Sequence, residues 1–293
     1  MQTFRPRRSV LYVPGANQRA LDKARELDAD GLIFDLEDSA APGAKQRARE
    51  QVRRALLAGN FGTRELVVRI NGLDTPWGEA DLAAVAQLAI DAVLLPKVDA
   101  PSQLAAVTAR LKVAGAPPEL MLWAMIETPR GVLAVGAIAA TPRLRCLVVG
   151  AEDLAAALRV PPSNLRDGLG AALERTVLAA RAHGLDVLDG VHTNLNDDDG
   201  LRAQCAQGRA LGFDGKTLIH PGQIAAANQA FTPDPEAVAR ARAIVAAGAR
   251  AERRGDGVTV LDGRLVERLH VTEARRILAL AAAARTEPDT RRS

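Results

Sequence analysis

No stretch of this 293-residue chain is long and apolar enough to cross a membrane. The N-terminal MQTFRPRRSVLYVPG is basic, but its apolar run is too short for a signal peptide. Cysteine is scarce. Cys146 and Cys205 both sit among apolar neighbours, which fits buried free thiols in a reducing cytoplasm better than a disulfide framework. Lysine is scarce too, with Lys23, Lys45, Lys97, Lys112 and Lys216 set against an arginine majority. A net charge of +3 is small and argues against a nucleic-acid groove, leaving local basic sites for small anions. The glycine fingerprint of a dinucleotide fold and the P-loop are both missing. So are a Ser-His-Asp or Cys-His arrangement and any short fixed-period repeat. His192 and His220 lack metal-ligand spacing to a partner, so they read as residues that position substrate or neighbours. The chain reads as soluble and cytoplasmic.

What is present is alternation. Apolar, strand-like runs recur at Ser9–Val13, Gly31–Asp35, Glu65–Ile70, Ala92–Leu95, Leu120–Ile126, Leu144–Val149, Asp186–Asp189 and Lys216–Ile219. Helical stretches separate them: Asn17 as an N-cap, then Lys45–Ala58, Trp77–Leu88, Gln103–Val113, a helix from Gly131, Leu169–Ala182 and Asp199–Leu211. Alternation of this kind implies parallel strands joined by right-handed crossovers, and eight units favour a closed barrel over an open sheet. The expected fold is therefore an α/β (β/α)8 TIM barrel over residues 1–231. Residues 232–293 carry a helix from Pro235, a turn-rich hairpin and a further helix, read as a C-terminal lid or oligomer-contact segment with a frayed tail from Arg285.

Polar residues gather where the strands end, and on a barrel those ends share one face. The run GLIFDLEDS ends a buried strand in Asp35, Glu37 and Asp38, a costly crowding of carboxylates unless a cation sits beside them. Arg69, the single charge in VVRIN, has a fork that can grip a carboxylate or enolate, or pair internally with Glu37 or Asp38. Glu127 and Asp153 are read as ending neighbouring strands, projecting into one volume. Two carboxylates without a Cys or His partner suggest a hard cation, magnesium by default; metal-free acid/base work is the other reading. Lys97 is taken as a substrate-binding lysine. Arg19 and Lys23 lie four apart on the first helix and, with Arg7 and Arg8, make a basic corner suited to phosphates.

These segments together resemble the citrate lyase beta subunit and malyl-CoA lyase family, of the HpcH/HpaI type of aldolase barrel. The matching stretches are RSVLYVPGAN, GLIFDLEDS, VRIN, LLPKV, IETPRG, VVGAEDLAAAL and the long run from Val187 to Ile224. The resemblance implies a magnesium-dependent carbon–carbon lyase that cleaves a 3-hydroxyacyl-CoA thioester of the malyl- or citramalyl-CoA type. A citryl-carrier lyase subunit, a malyl-CoA thioesterase and a non-catalytic barrel are the alternatives. It further implies Glu127 and Asp153 as metal ligands, Arg69 as the substrate arginine, and Arg19 and Lys23 near the CoA moiety. Glu37 and Asp38 become the wall that orients Arg69, with Asp38 available for proton transfer. Members are typically homotrimers or hexamers whose C-terminal segment closes over a neighbour. Relatives with such a lid carry an Asp as an acid/base in trans, where this chain has Glu267 within DGRLVERLH.

Overall fold

The computed structural model describes residues 5–161 and 166–284, so the expected frayed tail from Arg285 lies outside the described residues. Residues 7–229 form one unit, and the chain from residue 230, with the residues before Arg7, forms another. The first is a closed barrel of eight parallel strands in sequence order. Its elements are β1 (Ser9–Pro14), α1 (Gln18–Lys23), β2 (Gly31–Asp35), α2 (Lys45–Ala58), β3 (Glu65–Arg69), α3 (Gly78–Val85), β4 (Ala92–Leu95), α4 (Pro101–Val113), β5 (Met121–Ile126), α5 (Pro129–Ala139), β6 (Leu144–Val149), α6 (Ala151–Leu158), α7 (Gly170–Ala182), β7 (Asp186–Asp189), α8 (Asp198–Leu211), β8 (Gly215–Leu218) and α9 (Ile224–Phe231). Asn17 caps α1 as expected, its side chain accepting from the Ala20 N–H at 3.1 Å. Both cysteines are buried and free.

The strands are apolar on both faces because helices cover the outside and the barrel centre is filled. Val10, Ile33, Val67, Leu94, Trp123, Met125, Cys146, Val148 and Leu188 form that filling. Side chains alternate with period two, so Asp35 and Arg69 face the interior one step above Ile33 and Val67. Below the filling the barrel is closed by charge. Arg7 pairs with Glu65 at 2.6 Å and with Asp186, and lies 5.4 Å from the Trp123 ring centroid. Arg8 pairs with Asp30 at 2.7 Å.

That placement corrects the expected basic corner. Arg7 and Arg8 precede β1 and sit at the strand starts, whereas α1 follows the end of β1. A six-residue strand separates them, about 20 Å of extended chain. A second correction concerns Asp153, which does not end a strand. β6 stops at Val149, and Asp153 with Glu152 lies in the first turn of the helix α6. AEDLAAAL is built from good helix formers, and acids in a first turn complement the helix dipole.

The C-terminal unit contains α10 (Pro235–Arg254), an antiparallel hairpin of β9 (Thr259–Leu261) and β10 (Arg264–Val266), and α11 (Arg268–Ala283). Asp234 caps α10 by accepting from the Ala237 N–H at 2.7 Å, and Gly255 ends it in the left-handed conformation. Glu267 occupies the N-cap position of α11, and its backbone N–H donates to His270 Nδ1 at 3.0 Å. No helix of the described residues is long and apolar enough to cross a membrane.

Candidate active site

Asp35 and Arg69 end neighbouring strands and are register partners across the β2–β3 ladder. Being opposite and both inward, they meet edge to edge. Arg69 Nε donates to Asp35 Oδ1 at 2.7 Å, and Nη2 donates to Oδ2 at 2.8 Å. This is the bidentate fork geometry, buried, with Arg69 only 7% exposed. Burial pushes the Asp35 carboxyl up, but the Arg69 guanidinium more than offsets it and holds the group below the usual carboxylate range. The remaining corner, Nη1, lies 2.8 Å from Glu37 Oε2 as an ion pair and donates to Asp38 Oδ2 at 3.3 Å. The acid wall of Glu37 and Asp38 around Arg69 is thus present, but its main member is Asp35, which sequence reasoning left out. Period-two alternation from Ile33 to Asp35 and from Val67 to Arg69 was the available signal.

The acid loop is held from behind by a residue with no sequence signal beyond being a lysine. Lys45 Nζ donates to the carbonyls of Leu36 at 3.0 Å and Glu37 at 2.7 Å, and to Asn71 Oδ1 at 2.7 Å. These bonds use all three ammonium protons. Lys97 has its backbone in the left-handed region (φ +50°), which turns its N–H onto Glu127 Oε1 at 2.7 Å. Its Nζ donates to Glu37 Oε1 at 3.2 Å, so this lysine is already paired with the acid wall.

Glu127 follows β5 directly and is 2% exposed. Burial, opposed by the Lys97 N–H and reinforced by the charges of Glu37 and Asp153, leaves its carboxyl raised to about 7. A Cβ at Gly150 would collide with the Glu127 carboxylate, so glycine there keeps room for it. Asp153 reaches the same space from α6. A cavity of about 360 Å³ at the strand ends is lined by Asp35, Asp38, Arg69, Glu127, Glu152 and Asp153, with Tyr12, Met125, Val149 and Val191 as apolar wall. Glu37 and Lys97 line a neighbouring cavity instead. Arg19 and Lys23 are exposed on α1 and do not line the first cavity. Glu267 belongs to the other unit.

The donor set fits a hard cation. The carboxylates around the cavity outnumber its cations, and each supplies oxygen. Among the described residues no group of three or more His, Cys, Asp or Glu side chains converges as a cage. A cation held by Glu127 and Asp153 would therefore take most of its shell from water and substrate oxygens, as magnesium does.

On the β7–β8 side the wall is set by a buried ionic cluster. Asp189 is fully buried between Arg166 Nη1 and Lys216 Nζ, the latter at 3.0 Å. Lys216 also donates to Gln204 Oε1 at 3.2 Å, which ties it to the barrel structure. Burial pushes the Asp189 carboxyl up, and Lys216 and Arg166 more than offset this, leaving it below its ordinary value. A depressed folded-state pKa stabilises the fold above the unfolded value of about 4, and that contribution disappears as pH falls through the folded value. Stability is accordingly expected to decline on acidification below about pH 4, with a shallower acid limb in Asp189→Asn. Urea midpoints between pH 3 and 8 check this, and an identical limb in the variant would refute it.

A closed parallel barrel with its charged residues converging at the strand ends defines an enzyme of the TIM-barrel class. The chain belongs to the HpcH/HpaI aldolase/citrate lyase family, whose model matches residues 8–221. It is 49% identical over 280 residues to a (3S)-malyl-CoA thioesterase of Cereibacter sphaeroides, with 95% of each chain covered. It is 36% identical to an L-malyl-CoA/beta-methylmalyl-CoA lyase of the same species, covering 94% of this chain and 95% of that one. The structure of CitE from Mycobacterium tuberculosis, in complex with magnesium, acetoacetate and coenzyme A, superimposes with a TM-score of 0.74 at 31% identity. That match covers 94% of this chain and 98% of the other. The expected lyase activity is corrected by these identities: the thioesterase relative is far more similar than the lyase. Both relatives act on malyl-CoA by name, so the motifs that carried the resemblance do not distinguish breaking a carbon–carbon bond from breaking a thioester.

Proposed function

We propose that this protein is a malyl-CoA thioesterase, hydrolysing the thioester to malate and free CoA. The observation that carries the reading is 49% identity to a (3S)-malyl-CoA thioesterase over 95% of both chains. The pocket chemistry supports it. Glu127 and Asp153 would hold magnesium, which when bound supplies a Lewis-acid charge beside the substrate oxygens. Arg69, fixed by Asp35 along one edge and shared with Glu37 and Asp38 at Nη1, supplies positive charge for an anionic or developing-oxyanion oxygen in the cavity it lines. Asp38, exposed at the mouth beside Arg69, is the proton-transfer candidate. Water adds to the thioester carbonyl carbon, the carbon–sulfur bond breaks, and the CoA thiolate leaves as the thiol after taking up a proton. Met125, Val149 and Val191 give the cavity an apolar wall beside these charged groups.

The decisive experiment incubates purified protein with malyl-CoA and magnesium and follows products by thiol release and chromatography. Malate and free CoA are expected in equal amounts. Accumulation of acetyl-CoA and glyoxylate, or no turnover, would overturn the reading. Chelation with EDTA is expected to stop hydrolysis and added magnesium to restore it.

A further inference from the structure

Arg69 is held by acids at its edges and by an aromatic ring on its face. Asp35 holds the guanidinium edge, while the Tyr12 ring covers its face, with Arg69 Cζ 4.8 Å from the ring centroid. Tyr12 stands on β1, with β2 between it and β3, in register with Ile33 one inward step below Asp35 and Arg69, and its ring reaches Arg69 from there. Its hydroxyl makes one hydrogen bond among the described residues, to Met125 Sδ at 3.7 Å. Arg69 Nη1 shares that sulfur, also at 3.7 Å. A thioether is a weak acceptor, so the ring face makes the stronger of the two contacts with the arginine's surroundings. A cation over an aromatic face is held more firmly where water is excluded, and both groups line the cavity floor.

We propose that Tyr12 is a positioning residue for Arg69, its ring fixing the guanidinium plane at the wall of the substrate cavity. Without the ring, Asp35 still holds one edge and Glu37 and Asp38 still hold Nη1, but nothing covers the face and the guanidinium plane is free to tilt. A tilt of that kind takes the positive corner away from the reacting atoms, and a small misplacement is costly at such a site. The inference deepens the thioesterase reading and rests on it for the role of Arg69.

The test compares Tyr12→Leu with Tyr12→Phe by steady-state kinetics and thermal melting. Removing the ring is expected to lower kcat about tenfold with a much smaller change in KM. Phenylalanine, which restores the ring face without the hydroxyl, is expected to recover most of that loss. A leucine variant with wild-type kcat, or a phenylalanine variant as impaired as leucine, would overturn the proposal. Tyr12 is the single tyrosine of the chain, so ring-labelled protein gives one tyrosine signal by NMR. That signal is expected to move in Arg69→Met with no substrate present, and an unmoved signal would also overturn the proposal. This readout does not depend on the reaction catalysed. If wild-type protein fails to hydrolyse malyl-CoA the functional reading falls, while the tyrosine signal still decides whether Tyr12 holds Arg69. Should the leucine variant fail to fold, the phenylalanine kinetics and the NMR comparison decide alone.

Discussion

Glu127→Gln is expected to reduce magnesium-dependent hydrolysis by on the order of a thousandfold while leaving the barrel folded. The substitution keeps the side-chain shape, and the amide oxygen can still accept from the Lys97 N–H that now binds Oε1 at 2.7 Å. What it removes is a negative charge that burial and neighbouring acids make costly and that a divalent cation would neutralise. Calorimetric titration with magnesium separates loss of metal from loss of chemistry: the variant should bind the ion far more weakly. Asp153→Asn should cost less, because that side chain is exposed on α6 and water can replace one of its oxygens. Unchanged magnesium affinity in Glu127→Gln would move the metal site elsewhere.

Asp35→Ala should be the most destabilising single change at the mouth. Arg69 would keep its charge in a site where it is 7% exposed, with its bidentate partner gone. Breaking one side of a buried pair in this way costs about 3–5 kcal/mol. For a domain of this size that corresponds to a fall in melting temperature of roughly 10 °C. Glu37 and Asp38 soften the effect only partly, since their contacts are to Nη1 and leave the Nε edge bare. The double variant Asp35→Ala with Arg69→Leu should recover part of the stability, because no unpaired charge remains. Equal melting of the single and double variants would show that the pair is not coupled in the way the geometry requires. Activity should be lost in both.

The two predictions draw on different kinds of knowledge. Glu127 was visible from the sequence because an acid directly after an apolar strand has few structural reasons to be there. Arg69 was visible for the same reason. Asp35 was harder, because three acids within four residues look interchangeable until the strand's alternation and its register with β3 are applied together. Lys45 was not visible at all. Nothing in the run AKQRAREQ distinguishes a lysine that holds two loop carbonyls and an asparagine from one that faces water. Asp153 was placed in the right cavity for the wrong local reason, since the helix α6 carries it there. The Arg7 and Arg8 assignment failed because sequence proximity to α1 says nothing about which end of a strand a residue occupies.

By itself the sequence determined the alternation of eight strands with helices, the barrel, and the family with its carboxylate pair and arginine. The alternation and the barrel follow from periodicity, which acts locally along the chain, while the family comes from the motifs that resemble it. The tertiary structure decided which acid holds Arg69, that a tyrosine from β1 covers its face, and that Lys97 serves the site through its backbone as well as its ammonium. These depend on closing the sheet, which brings residues far apart in sequence to the same level of one barrel, where only register and burial determine their partners.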